Sequence, residues 1–109
     1  AAGELLDRLV WEYPTARMDG YSTVLRGRIL WGEGQIEQAV KVIERMVATM
    51  PKDPFADDAL LLAAEIHMSQ VPPKKRQATD ALERLLKDYP ESGRVNEARE
   101  LLKKAQAGP

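Results

Sequence analysis

The 109-residue chain has no cysteine and a single histidine, His67. Without cysteine there is no disulfide framework, no thiol nucleophile and no thiolate metal site, and the absence fits any compartment. A zinc site needs three or four ligands, so His67 alone implies a structural or surface role, and no metal or cofactor is expected. Neither sign of charge dominates. Sixteen Lys and Arg against seventeen Asp and Glu leave −1, which removes the electrostatic motive for binding nucleic acid or anionic lipid. No apolar run approaches the roughly 18 residues that cross a bilayer, so membrane insertion is not expected. No signal peptide is visible. The start "AAGELL" lacks an initiator methionine and reads as a processed chain or an excerpt of a longer one.

What is present is a repeat. "RLVWEYPTARMDGYS" (8–22), "RMVATMPKDPFADDA" (45–59) and "LLKDYPESGRVNEA" (85–98) each run an apolar stretch into a proline and then restart. The anchors Pro14, Pro51 and Pro90 stand at nearly equal intervals along the chain. Counting back from each gives Ala2, Ala39 and Ala78, then Leu6, Ile43 and Leu82, then Leu9, Met46 and Leu85. Those offsets trace one stripe of a helix with about 3.6 residues per turn. Counting forward gives a second stripe: Ser22, Ala59 and Ala98; Leu25, Leu62 and Leu101; Ile29, Ile66 and Ala105. Each unit is therefore two helices, and the proline separates them because it cannot donate the next backbone hydrogen bond. The spacing predicts helices at 2–13, 19–31, 35–49, 55–69, 75–89 and 92–106. Gly32 and Gly34 in "WGEGQ" mark one reversal, and "SQVPPKK" (69–75) marks the next, with two extra residues. The organisation reads as an unpaired helix 1–14, repeats 15–51 and 52–90, and a terminal helix 91–109.

Nothing else in the chain carries chemistry. Carboxylates pair with bases at i, i+4, acid first (Glu4–Arg8, Glu37–Lys41, Asp80–Arg84, Glu83–Lys87, Glu100–Lys104), as solvated helix faces do. "PPKKR" (72–76) fits a soluble turn or a basic patch. "GEGQ" is no phosphate loop, since no strand precedes it and no Lys-Ser/Thr follows. "ALLLAA" (59–64) suits an inner helix covered on several sides. No nucleophile–base constellation is visible, so the chain is not expected to be an enzyme. Trp11 and Trp31 either anchor an interface or cap hydrophobic ends within the chain.

On its period, its early-helix Ala39 and Ala78, and its closing Pro51 and Pro90, the chain resembles the tetratricopeptide-repeat family. The "YPxS" connection resembles in particular the bacterial cell-envelope members of the barrel-assembly-lipoprotein and Tol–Pal-coordinator type. It departs from the family where Ser22, Ala59 and Ala98 replace the usual tryptophan, and where Arg26 stands near a small position. The resemblance implies an all-α, right-handed solenoid of about six helices. It also implies an envelope, periplasmic or extracellular location rather than a cytoplasmic one. A protein or peptide partner would lie in a concave groove lined by Tyr21, Thr23, Gly27, Arg28, Leu30 and Trp31 from one repeat. Asp58, Leu60, Glu65, His67 and Met68 line it from the next. The Lys/Asn carboxylate clamp of chaperone-binding relatives is not recognisable, so a C-terminal carboxylate is not the expected ligand. The alternative is a structural subunit assembling head-to-tail through Leu6, Trp11, Leu101 and Ala105. With two copies joined end to end, the step from Pro90 to Pro14 of the following copy is close to the family period.

Overall fold

A computed structural model describes residues 20–107, and every regular element among them is a helix. We label them α1 (Gly20–Gly32), α2 (Ile36–Thr49), α3 (Ala56–Met68), α4 (Lys75–Asp88) and α5 (Val95–Gln106). The first four lie within about one residue of the expected spans. The expected helix 2–13 lies outside the described residues. The last helix begins at Val95 rather than 92, because Ser92 is spent on the turn: its N–H bonds the Tyr89 carbonyl at 3.0 Å and its Oγ accepts the Arg94 N–H at 2.9 Å. A residue whose side chain bonds its own following backbone favours a turn over a helix interior.

The predicted stripes of the second helices are the core. Ala39, Ile43 and Met46 on α2, and Ala78, Leu82 and Leu85 on α4, are buried. Each large aliphatic side chain so buried is worth about 1.5–3 kcal/mol, and the alanines leave room for the neighbouring helix. The helix ends repeat as well. α2 closes on Met50 (φ −132°, ψ 58°) and α4 on Tyr89 (φ −129°, ψ 57°), each followed by its proline. The N-caps Phe55 and Arg94, one repeat apart, also share one conformation (φ −106° and −95°, ψ 9° and 2°).

The two reversals solve one problem differently. α1 ends with Gly34 in the left-handed region (φ 80°), the Gln35 N–H reaching Leu30 O at 2.9 Å and the Gly34 N–H reaching Trp31 O at 3.0 Å. This is the six-to-one and five-to-two pairing that satisfies terminal carbonyls, and glycine alone enters it without strain. α3 has no such glycine. Its terminal carbonyl at Ile66 accepts side-chain donors, Ser69 Oγ at 2.6 Å and Gln70 Nε2 at 2.9 Å, beside the Ser69 N–H at 3.1 Å, and the two extra residues fall in this turn.

Consecutive helices pack in pairs, and α3 also touches α1 and α5, whereas α2 and α4 do not touch. The odd helices thus form one layer and the even helices another. α3 is the centre, and Ala56, Ala59 through Ala64 and Ile66 are all buried. At the α1 crossing an added Cβ on Gly27 would meet Ile43 and Leu62 at 3.3 Å, so a small residue is needed there. One equivalence fails: Leu62 and Ile66 are 0% exposed, but Leu25, in the register of Leu62, is 39% exposed. Among the described helices α1 touches only α2 and α3, so its far side has no helix of that set against it.

Candidate interaction surface

The sides of α3 follow from its register. Asp58 and Glu65, two helical turns apart, share one side, whereas Leu60 and His67 point to the opposite one, at about 100° per residue. α1 repeats this one unit earlier, with Tyr21 and Arg28 in the register of Asp58 and Glu65, and Thr23 and Leu30 in that of Leu60 and His67. The eleven expected groove residues are therefore not brought onto one surface, and Gly27 is buried at the α1 crossing. Tyr21, Arg28, Asp58 and Glu65 belong together. Thr23, Leu30 and Leu60 are buried, because their side of α1 and α3 faces the even layer. Trp31 and Met68 are half-buried against the core, and His67 is half-buried in a cleft between α2 and α4. Of the expected assembly residues, Ala105 is buried and Leu101 packs on the core, while Leu6 and Trp11 lie outside the described residues.

Two joints order the odd-helix face. Between α1 and α3, the Tyr21 and Phe55 rings pack with centroids 5.6 Å apart and planes tilted by 59°. Both stay open to solvent, at 58% and 36% exposure. Between α3 and α5, at the same register, Arg94 Nε donates to Asp58 Oδ1 at 2.5 Å, and Arg94 Nη1 to Glu97 Oε1 at 3.0 Å. These bonds hold the Arg94 guanidinium still more firmly protonated. A second tie lies just behind. The Ser92 hydroxyl donates to Asp57 Oδ2, while in the first joint the Asp53 carboxylate sits where a Cβ on Gly20 would be. A third joins the two proline turns, as the Tyr89 hydroxyl donates to the Pro51 carbonyl.

Glu65 stands between the joints. Burial pushes its carboxyl above the usual range; Arg28 opposes this from α1, Glu97 reinforces it, and Arg94 opposes it from α5. On the other side of α3, burial first and Lys74 second push the His67 imidazole toward its neutral form, against Glu44.

A further cleft of about 520 Å³ separates the turns at 51–54 and 88–92 and is rimmed by Asp53, Asp57, Asp88 and Glu91, of which the first three are committed. Asp53 accepts the Phe55 N–H at 2.8 Å, Asp57 accepts from Ser92, and Asp88 lies 3.5 Å from Arg84. Among the described residues no group of three or more His, Asp or Glu is placed to hold a metal ion. No described helix is long and apolar enough to cross a membrane.

Phe55 and Arg94 were not among the residues expected to form the site. They sit outside both helical stripes, and only their equal distance before the following helix marks them as equivalent.

Residues 58–92, most of α3, all of α4 and the turn after it, match the family model described as tetratricopeptide repeat. No curated protein and no solved structure matches the chain. The match covers one helix pair and the following proline turn. Repeats of this kind generally mediate protein–protein interaction and are typically scaffolds rather than enzymes.

Proposed function

We propose that the chain is a protein-binding scaffold whose partner lies along the α1/α3/α5 face, across Tyr21, Phe55, Arg28, Asp58 and Glu65. The observation that carries this reading is the exposed Tyr21–Phe55 pair, next to charged groups on the same face. Two adjacent aromatic rings held open to water by rigid helices are costly to hydrate and resemble the anchors that dominate protein interfaces. On this reading the helix pairs 15–51 and 52–90 are consecutive repeats of a right-handed solenoid, followed by the terminal helix 91–109. The stripe Ala2, Leu6, Leu9 and Tyr13, which repeats the core stripes of α2 and α4 in the sequence, lies outside the described residues.

The test is affinity capture from the source cells followed by measured affinity for the captured protein. Tyr21→Ala with Arg28→Ala should weaken binding by about tenfold or more, as loss of one interface anchor does. Lys87→Ala, on exposed α4, should leave it unchanged. Equal losses from both variants would place the partner elsewhere.

A further inference from the structure

We propose that the cleft between α2 and α4 is a second docking site, for a protein segment that presents one apolar side chain flanked by lysine or arginine. It lies across α3 from the Tyr21–Phe55 face and stands independently of the reading above.

The cleft runs between α2 and α4, whose backbones stand apart, along the even-layer side of α3. It has a volume of about 240 Å³. Ligand pockets typically run from about 300 to 1,000 Å³, so this one is suited to a single side chain rather than a small molecule. Its floor is apolar, from Val47, Leu60, Ala63 and Ala81. Ala63 and Ala81 keep it open where larger residues would close it.

The rim sets the chemistry of the guest. Glu44 and Asp80 line the cleft, are exposed, and have no ion-pair partner among the described residues. Arg84, a full cation on the same rim, lies 3.5 Å from Asp88 and is partly neutralised by it. His67 closes the cleft as a neutral imidazole at pH 7, because burial disfavours its charged form. Glu44 and Asp80 beside an apolar floor complement a guest that is apolar at its tip and cationic beside it. Val71, the most exposed large apolar residue of the described surface, is not itself such a guest, since its lysines stand only at positions 74 and 75, beyond two prolines.

The probe is a capped pentapeptide with phenylalanine between two lysine pairs, titrated into the full ¹⁵N-labelled chain. Saturable amide shifts should appear at Ala63, His67 and Ala81. A peptide with glycine at the centre, or with glutamates in place of the lysines, should bind about tenfold more weakly or not at all. Glu44→Gln with Asp80→Asn, both on exposed side chains, should weaken binding roughly fivefold. Ala81→Met, which fills the cleft, should abolish it; were that variant unfolded by circular dichroism, the charge variant would still decide. Three results would overturn the proposal: no saturable shifts, an equal response to the glutamate peptide, or shifts centred on Tyr21 and Phe55.

Discussion

Phe55 and Arg94 occupy equivalent places in successive repeats, each just before an odd helix, and each reaches back to the same place on the odd helix before it. Phe55 meets Tyr21 ring against ring, whereas Arg94 meets Asp58 as an ion pair. The neighbouring tie is exchanged in the same way. Asp57 and Ser92 form a hydrogen bond at one joint; at the other their counterparts are Gly20 and Asp53, where a missing side chain makes room for a carboxylate. The backbone turns match through both joints: the N–H groups of Phe55 and Arg94 bond Asp53 Oδ1 and Ser92 Oγ at 2.8 and 2.9 Å. The repeat thus preserves a geometry and lets the side chains change in complementary pairs. One joint is apolar and open to solvent, while the other is charged and satisfied internally.

The largest difference between the two regions should appear in the core register. Leu62→Ala on α3 removes a side chain with no exposure and should cost about 2–5 kcal/mol, transfer and cavity terms together. Leu25→Ala, the same position on α1, removes one that is 39% exposed and should cost at most about 1.5 kcal/mol. Urea denaturation of both variants gives the comparison. Equal losses would mean that the outer side of α1 is as fully covered in solution as that of α3.

Next comes the exchanged tie. Gly20→Asp alone puts a second carboxylate against Asp53, and even a Cβ there would collide with Asp53 Oδ1. The Asp53 side chain must then swing away and give up its bond to the Phe55 N–H, a loss of about 1–2 kcal/mol. Adding Asp53→Ser recreates the Asp57–Ser92 pairing and should recover most of that loss. A double-mutant cycle reads the coupling directly. If the two changes were simply additive, the joints would not be equivalent.

The helices were legible because their evidence is local. Apolar offsets of three and four residues, and a proline after each stripe, fix α2 and α4 to within a residue, with Ala39 and Ala78 at the close crossings. The proposed interaction face was only half legible. Tyr21, Arg28, Asp58 and Glu65 fall on one side, but Thr23, Leu30 and Leu60 go inside, since a register error of one or two residues turns a helical side chain by about 100–200°. Phe55 and Arg94 escaped because they lie in turns, where no periodicity operates. Their partners, Tyr21 and Asp58, stand almost a whole repeat earlier in the chain.

A smaller effect separates the joints by their response to salt. Phe55→Ala removes an aromatic contact worth about 0.5–1.5 kcal/mol, and added sodium chloride should leave its cost unchanged. Arg94→Ala breaks a partly exposed ion pair worth about 0.2–1 kcal/mol, and that cost should shrink as salt screens it. Thermal melts at low and high salt resolve the two. A salt-dependent Phe55→Ala, or a salt-independent Arg94→Ala, would show that the assigned chemistry of the joints is wrong.

The smallest effect falls on Glu65, which lies between the two joints and feels both. Burial raises its pKa above the ordinary 4.5, and the Arg28 charge on one side and Arg94 on the other do not fully compensate. Between 4.5 and the raised value the folded chain binds more protons than the unfolded one, so this group's contribution to stability falls as pH rises through that window. Above the raised value the carboxylate is charged in both states and its desolvation is a net cost to the fold. Glu65→Gln keeps the shape and removes the charge, so the variant should be slightly more stable than the parent at pH 7. The advantage should fade as pH falls and vanish well below 4.5, where Glu65 is protonated in both states. Adding Arg28→Ala to the parent removes the first opposing cation and should raise the Glu65 pKa further, which NMR titration of the Glu65 carboxyl would follow. A Glu65→Gln variant less stable than the parent at pH 7 would mean that the two arginines outweigh the burial, and that the joints on either side of α3 are held together by this carboxylate rather than strained by it.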